Sequence, residues 1–148
     1  MKYIEAKSSD IPLDLLLEAD PSEASISSYL SDSWCFIASD NARILAACVV
    51  KPLNDGLVEI YNVSVYPEYQ GQGIGTALLT LVLSQLPNKG VTRVELGTGT
   101  FGYQLTYYQR LGFRVDSVVK DHFLRNYSEP IFEHGIQHQD MLRLYKVL

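Results

Sequence analysis

The segment from Tyr61 to Thr76 constrains the fold more than any other. Its first residues, Tyr61-Asn62-Val63-Ser64-Val65, are β-rich, Tyr66-Pro67 breaks that run, and Gly71, Gly73 and Gly75 then stand at alternate positions. Among and after them Ile74, Ala77, Leu78, Leu81 and Val82 recur at the i, i+3, i+4, i+7, i+8 spacing of a helix, which Pro87-Asn88-Lys89-Gly90 ends. A strand is therefore predicted to feed a helix through a glycine loop. The first N–H groups of such a helix lack intrahelical acceptors and the positive end of the helix dipole lies among them. Glycines remove the Cβ atoms that would hold an anion off the backbone. That combination is a main-chain cradle for a diphosphate. A loop that only changes direction has no use for three glycines that weaken the start of the helix.

A dinucleotide-binding fingerprint fits this stretch badly. Gly71-x-Gly73-x-x requires glycine or alanine where Thr76 stands, and that motif follows the first strand of a βαβ unit. Here residues 34–39, 44–50 and 57–65 are β-rich runs separated by Asp40-Asn41 and by Pro52-Leu53-Asn54-Asp55-Gly56, so the glycine loop follows an antiparallel meander. A P-loop fails too, because no lysine followed by serine or threonine closes the run.

The flanking elements read as follows. Residues 2–6 form a strand; Ser8-Ser9-Asp10 with Pro12 starts a helix over 11–19; and Asp20-Pro21-Ser22-Glu23 starts a second, with Ile26, Tyr29 and Leu30 on one face, ending near Leu30. Downstream, 91–98 is a strand, 103–111 a helix with Leu105, Tyr108 and Leu111 or Phe101 sharing a face, 113–119 a strand and 141–147 a final strand. Residues 121–140 have no sustained period and read as a long ordered loop.

With 148 residues, 47% of them hydrophobic and 20% charged, the chain is expected to be a single domain, residues 1–148. It can bury a core without disulfides or a structural metal, and it is not disordered. Its 12 basic and 17 acidic side chains leave a net charge of −5 with no basic stripe, which disfavours nucleic acid as a partner. No apolar leader follows Met1 and no run has the length of a membrane helix, so no membrane association and a cytoplasmic location are expected. Cys35 and Cys48 sit in apolar runs and read as buried free thiols. They lack knuckle spacing, and His134 and His138 lie in a glycine-interrupted loop, so no metal site is expected.

Gln70-x-x-Gly73-x-Gly75, preceded by Val63-x-Val65 and followed roughly 40 residues later by Tyr108-x-x-x-Gly112-Phe113, resembles the GCN5-related N-acetyltransferases (GNAT). The resemblance runs from about Glu59 to Val119, with a compatible strand-helix-helix-strand opening before it. It implies an α+β (mixed α/β) fold: a central mixed sheet of six to seven strands, flanked by about four helices. Its fourth and fifth strands, here 57–65 and 91–98, splay apart around the pantetheine arm of acetyl-CoA. It further implies that main-chain groups of Val63 and Val65 bond that arm, with the Val63 N–H polarising the thioester carbonyl. By the same resemblance Gln70, Gly71, Gln72, Gly73, Ile74, Gly75 and Thr76 hold the diphosphate, and Tyr108 protonates the departing thiolate. Many members have asparagine where this chain has Phe101; Thr100 or Gln104 is then the replacement that would bond the arm.

Acetyl transfer to an amine needs a neutral nucleophile, a polarised carbonyl and a proton for sulfur. Glu59, eleven residues before Gln70, has the spacing at which histone-acetylating members carry a general base; base, substrate-ammonium anchor and plain edge carboxylate all stay open. Tyr107 competes with Tyr108 for the acid, and either ring can also be a core aromatic. Asp121, His122, Glu129, Glu133 and His134 read either as a polar substrate wall or as a solvated or dimer-facing loop. The expected activity is acetyl-CoA-dependent transfer to a primary amine, a small cationic amine, amino sugar or peptide amine, in a ternary complex without a covalent intermediate. The acidic balance favours cationic acceptors. A homodimer is a further expectation. The alternatives are a non-catalytic acyl-CoA-binding regulatory module and a nucleotide-binding interaction domain.

Overall fold

Small and β-branched residues run almost without interruption through 35–38 and 45–50, the pattern of strands covered on both faces. The computed structural model describes residues 1–148, which form two compact units, 1–92 with Leu148 and 93–147. In the first unit β1 (Lys2–Ala6), β2 (Trp34–Asp40), β3 (Arg43–Asn54) and β4 (Leu57–Val65) lie in that order, each antiparallel to the next. One face packs on α1 (Leu13–Leu16) and α2 (Glu23–Tyr29): Leu15, Leu16, Ile26 and Tyr29 close over Cys35, Ile37, Ala47 and Val49. The alternate residues, Phe36, Cys48 and Val50 among them, are equally buried on the other face. There α3 (Ile74–Gln85) contacts β2, β3 and β4. Its buried side chains are Ile74, Leu78, Leu79 and Val82, so Leu79 takes the place predicted for Ala77, which is exposed.

Two expectations for this unit need correction. The first helix covers only four residues, because Pro12 forces Ile11 into an extended conformation (φ −86°, ψ 122°) and the helix cannot begin before Leu13. After Leu16 the chain tightens into i→i+3 bonds, Glu18 N–H to Leu15 and Ala19 N–H to Leu16, ahead of Pro21. Strand β3 extends through Pro52 to Asn54, where a turn was expected; a register irregularity between Pro52 and Asn54 accommodates the missing N–H and leaves Asp55-Gly56 as the turn.

In the second unit β5 (Arg93–Gly99) and β6 (Arg114–Val119) both pair antiparallel with β9 (Met141–Val147), which lies between them. Helix α4 (Tyr103–Arg110) packs on β5, and Val94, Leu96, Tyr108, Phe113 and Leu144 are the buried hydrophobic residues of this unit. The segment expected to be a loop holds α5 (His122–Asn126) and a hairpin of β7 (Phe132–Glu133) and β8 (Ile136–Gln137). Elements of two to five residues are too short to show a period. Seven principal strands and five α-helices make the chain α+β. No helix is long and apolar enough to cross a membrane.

Candidate active site

The glycine loop is built by its own side chains. Pro67–Tyr69 form a 3-10 turn after β4, the Gln70 side-chain NH2 donates to the Val65 carbonyl at 2.9 Å, and the Gln72 NH2 donates to the Glu68 carbonyl at 3.4 Å. Both glutamines thus brace the turn. Gly71 and Gly73 have φ of 76° and 80°, in the left-handed region that glycine enters without a Cβ penalty. Backbone geometry therefore gives these two glycines a structural reason that was not apparent from spacing. The space before them is open as well, since a Cβ at either position would meet no atom within 4 Å. Gly73 precedes α3, offers no side-chain cap, and no acid stands in the first turn. The N–H groups of Ile74, Gly75 and Thr76 come before the first i→i−4 bond, Ala77 to Gly73 at 3.0 Å, and so remain available to an anion.

Strand β4 carries three buried polar residues, Glu59, Asn62 and Ser64, at 9%, 3% and 2% exposure. The Glu59 carboxylate is thus shielded from bulk solvent. The register with β3 passes from Val49 opposite Asn62 to Val50 opposite Ile60, which leaves Tyr61 as the extra residue of a bulge. Asn62 secures it: its NH2 donates to the Leu16 carbonyl at 3.0 Å and to the Tyr29 hydroxyl at 3.2 Å. The Tyr29 hydroxyl donates to Asp20 at 3.1 Å, Ser25 Oγ donates to the same carboxylate at 2.8 Å, and the Tyr61 ring stacks on Tyr29 with centroids 4.7 Å apart. Val63 and Val65, half-buried, follow the bulge. This network was missed from sequence. An asparagine within a β-rich run was its only visible sign.

In the second unit Tyr108 is 9% exposed, edge-to-face with Phe113 at 5.8 Å and with Tyr107 at 5.2 Å. The Phe113 and Leu111 N–H groups both bond the Tyr108 carbonyl, so the Gly112-Phe113 pair closes α4 directly on the tyrosine. Gly112 has φ 97° there. Phe101 stacks on the buried His138 ring, 4.2 Å away and 9° from parallel, and His138 Nε2 lies 2.9 Å from Glu133 Oε1. Gln104 and Thr100 are exposed, as are Asp121, Glu129 and His134; His122 and Glu133 are half-buried.

Burial raises the Cys35 thiol to about 11, with Glu5 adding to the shift, and raises Cys48 further. Both are free and buried, as expected, and neither is primed as a nucleophile.

The acetyltransferase (GNAT) family profile matches residues 9–113. An uncharacterized N-acetyltransferase of Bacillus subtilis, YvbK, is 38% identical over 133 residues, covering 89% of this chain and 86% of its own. A GNAT family acetyltransferase from Elizabethkingia anophelis, solved with acetyl-CoA bound, superimposes with a TM-score of 0.93 at 38% identity over 99% of this chain and 97% of its own. An IAA acetyltransferase from Bacillus cereus gives a TM-score of 0.93 at 34% identity over 99% of both chains. Glycine loop, strand pattern and relatives agree, and the chain belongs to the GNAT family of N-acetyltransferases.

Proposed function

We propose that the protein transfers the acetyl group of acetyl-CoA to a primary amine by direct attack in a ternary complex. The observation that carries this reading is the start of α3: an uncapped helix terminus, preceded by two left-handed glycines with open space before them. Main-chain N–H groups from Gly71 to Thr76 bind the diphosphate, with Gln70 and Gln72 shaping the loop. Main-chain groups of Val63 and Val65 bond the pantetheine arm, and the Val63 N–H polarises the thioester carbonyl. The acetyl-CoA-bound Elizabethkingia neighbour supports the same cosubstrate here.

In the chemical step the amine nitrogen forms a bond to the carbonyl carbon and the C–S bond breaks. Tyr108 gives its phenolic proton to the leaving thiolate, and the proton lost by the amine passes to Glu59, directly or through water. No enzyme nucleophile takes part; buried, proton-retaining thiols at Cys35 and Cys48 fit that. A net charge of −5 favours cationic amines as acceptors, whether small amines, amino sugars or peptide amines.

The test pairs calorimetry with acetyl-CoA and a thiol-release screen over such amines and over IAA, the compound for which the Bacillus cereus neighbour is named. Binding together with release driven by a cationic amine is the expected result. A best acceptor that is anionic overturns the charge preference. Binding with no release across the panel replaces the enzyme by a CoA-responsive module, and absence of binding removes the cradle.

A further inference from the structure

We propose that Glu133 and His138 are positioning residues for α4 and, through it, for Tyr108; the inference rests on Tyr108 as the acid. Helix α4 starts at Gly102, φ 102°, with no side-chain cap. The Glu133 carboxylate lies against that residue: a Cβ on Gly102 would be 2.5 Å from Oε2 and 2.8 Å from Oε1 and would displace the carboxylate. An anion at the positive end of the helix stabilises a start that has no cap of its own.

Glu133 stands on a hairpin of two residues per strand, turned by His134 and Gly135 at φ 53° and 74°. Two short strands do not hold a side chain in place by themselves. His138 does so. Its Nε2 is 2.9 Å from Oε1, and with Glu133 ionised that nitrogen carries the proton and donates it. The imidazole is fixed in turn by its stack on Phe101 and by close packing on Gly99, where any Cβ would strike the ring, while the His138 backbone N–H donates to the Ile131 carbonyl at 2.8 Å and holds the main chain there. His134 Nε2, 3.9 Å from Oε2 and largely exposed, is the other basic group facing the carboxylate.

Both contacts land at the head of α4, the ring stack on Phe101 and the carboxylate on Gly102. Tyr108 follows six residues on, roughly 9 Å along a stiff helix, so a shift of the first turn is transmitted to it. Phe101, the departure from the family pattern, thereby has a partner in this chain. Glu133 accordingly acts on the helix, not on the substrate.

The test is a double-mutant cycle on turnover. Glu133→Gln and His138→Phe should each lower kcat about 5- to 20-fold, as expected for slight misplacement of a reacting group, with the calorimetric Kd for acetyl-CoA within about twofold of the parent. His138→Gln, which keeps an N–H toward Glu133, should recover part of the rate. In a Tyr108→Phe background Glu133→Gln should have little further effect, because its influence passes through the hydroxyl. An unchanged kcat in both single variants, or the same fold-loss with and without the hydroxyl, overturns the proposal. If His138→Phe does not fold, Glu133→Gln carries the cycle alone. A silent Tyr108→Phe instead overturns the acid assignment itself, and the positioning role with it.

Discussion

At position 108 the packing of one ring and its proposed role as the acid are separated only by the hydroxyl. Tyr108 packs against Phe113 as a core aromatic does, at 9% exposure, and it also stands four residues before Gly112 where the family resemblance places the acid. Phenylalanine keeps the packing. Tyr108→Phe should therefore leave thermal stability and acetyl-CoA affinity near the parent values and lower kcat roughly 100-fold, the usual contribution of a general acid. Tyr107→Phe should be mild in the same assay. Parent turnover in Tyr108→Phe with a large loss in Tyr107→Phe would move the assignment by one residue. Parent turnover in both would remove tyrosine from the chemistry. The register of the Gly112-Phe113 pair was legible in the sequence, and the proposal of Tyr108 over Tyr107 rests on it. The stack of Phe101 on His138 was not, because it joins residues 37 apart through a fold that local spacing does not describe.

Among the elements, α2 shows how local chemistry sets a boundary. Ser22 Oγ accepts from the Ser25 N–H at 3.1 Å, Asp20 Oδ1 accepts from the Ser22 N–H at 3.2 Å, and the helix starts at the expected place. Ser22→Ala should cost about 1 kcal/mol, read as a lower midpoint in urea unfolding with an unchanged slope. No loss would mean that Asp20 alone holds the helix start. The neighbouring α1 starts later than expected because Pro12 acts on the residue before it, a rule also local and also readable, and it stops early where i→i+3 bonds follow Leu16. What was not readable is the bulge at Tyr61. Its position depends on Asn62 reaching Leu16 and Tyr29, 46 and 33 residues away, and no periodicity along β4 encodes those partners.

For the whole molecule the glycine loop predicts a linkage between ligand and stability. Acetyl-CoA at 100 times its Kd should add about 2.7 kcal/mol, a rise in Tm of roughly 5–10 °C for a chain of this length. Gly73→Asn is the control. Asparagine enters the left-handed region at small cost, so the ligand-free Tm should fall by only a few degrees, whereas its side chain occupies the space before the helix terminus and the ligand-induced rise should vanish. A full rise in Gly73→Asn would place the diphosphate elsewhere. The sequence by itself determined the α+β class, the meander before the glycine loop, the helix after it and the family. The meander and the helix follow from periodicity and from glycine and proline placement, which act over a few residues, and the family and its α+β class from the resemblance carried by short motifs. Only the tertiary structure decided that Glu59 and Asn62 are buried, that Tyr61 bulges, and that 121–140 folds into a helix and a hairpin whose glutamate meets the head of α4. Each of those depends on contacts between residues distant in the chain, and their energies are set by burial and hydrogen-bond partners that exist only once the units have folded.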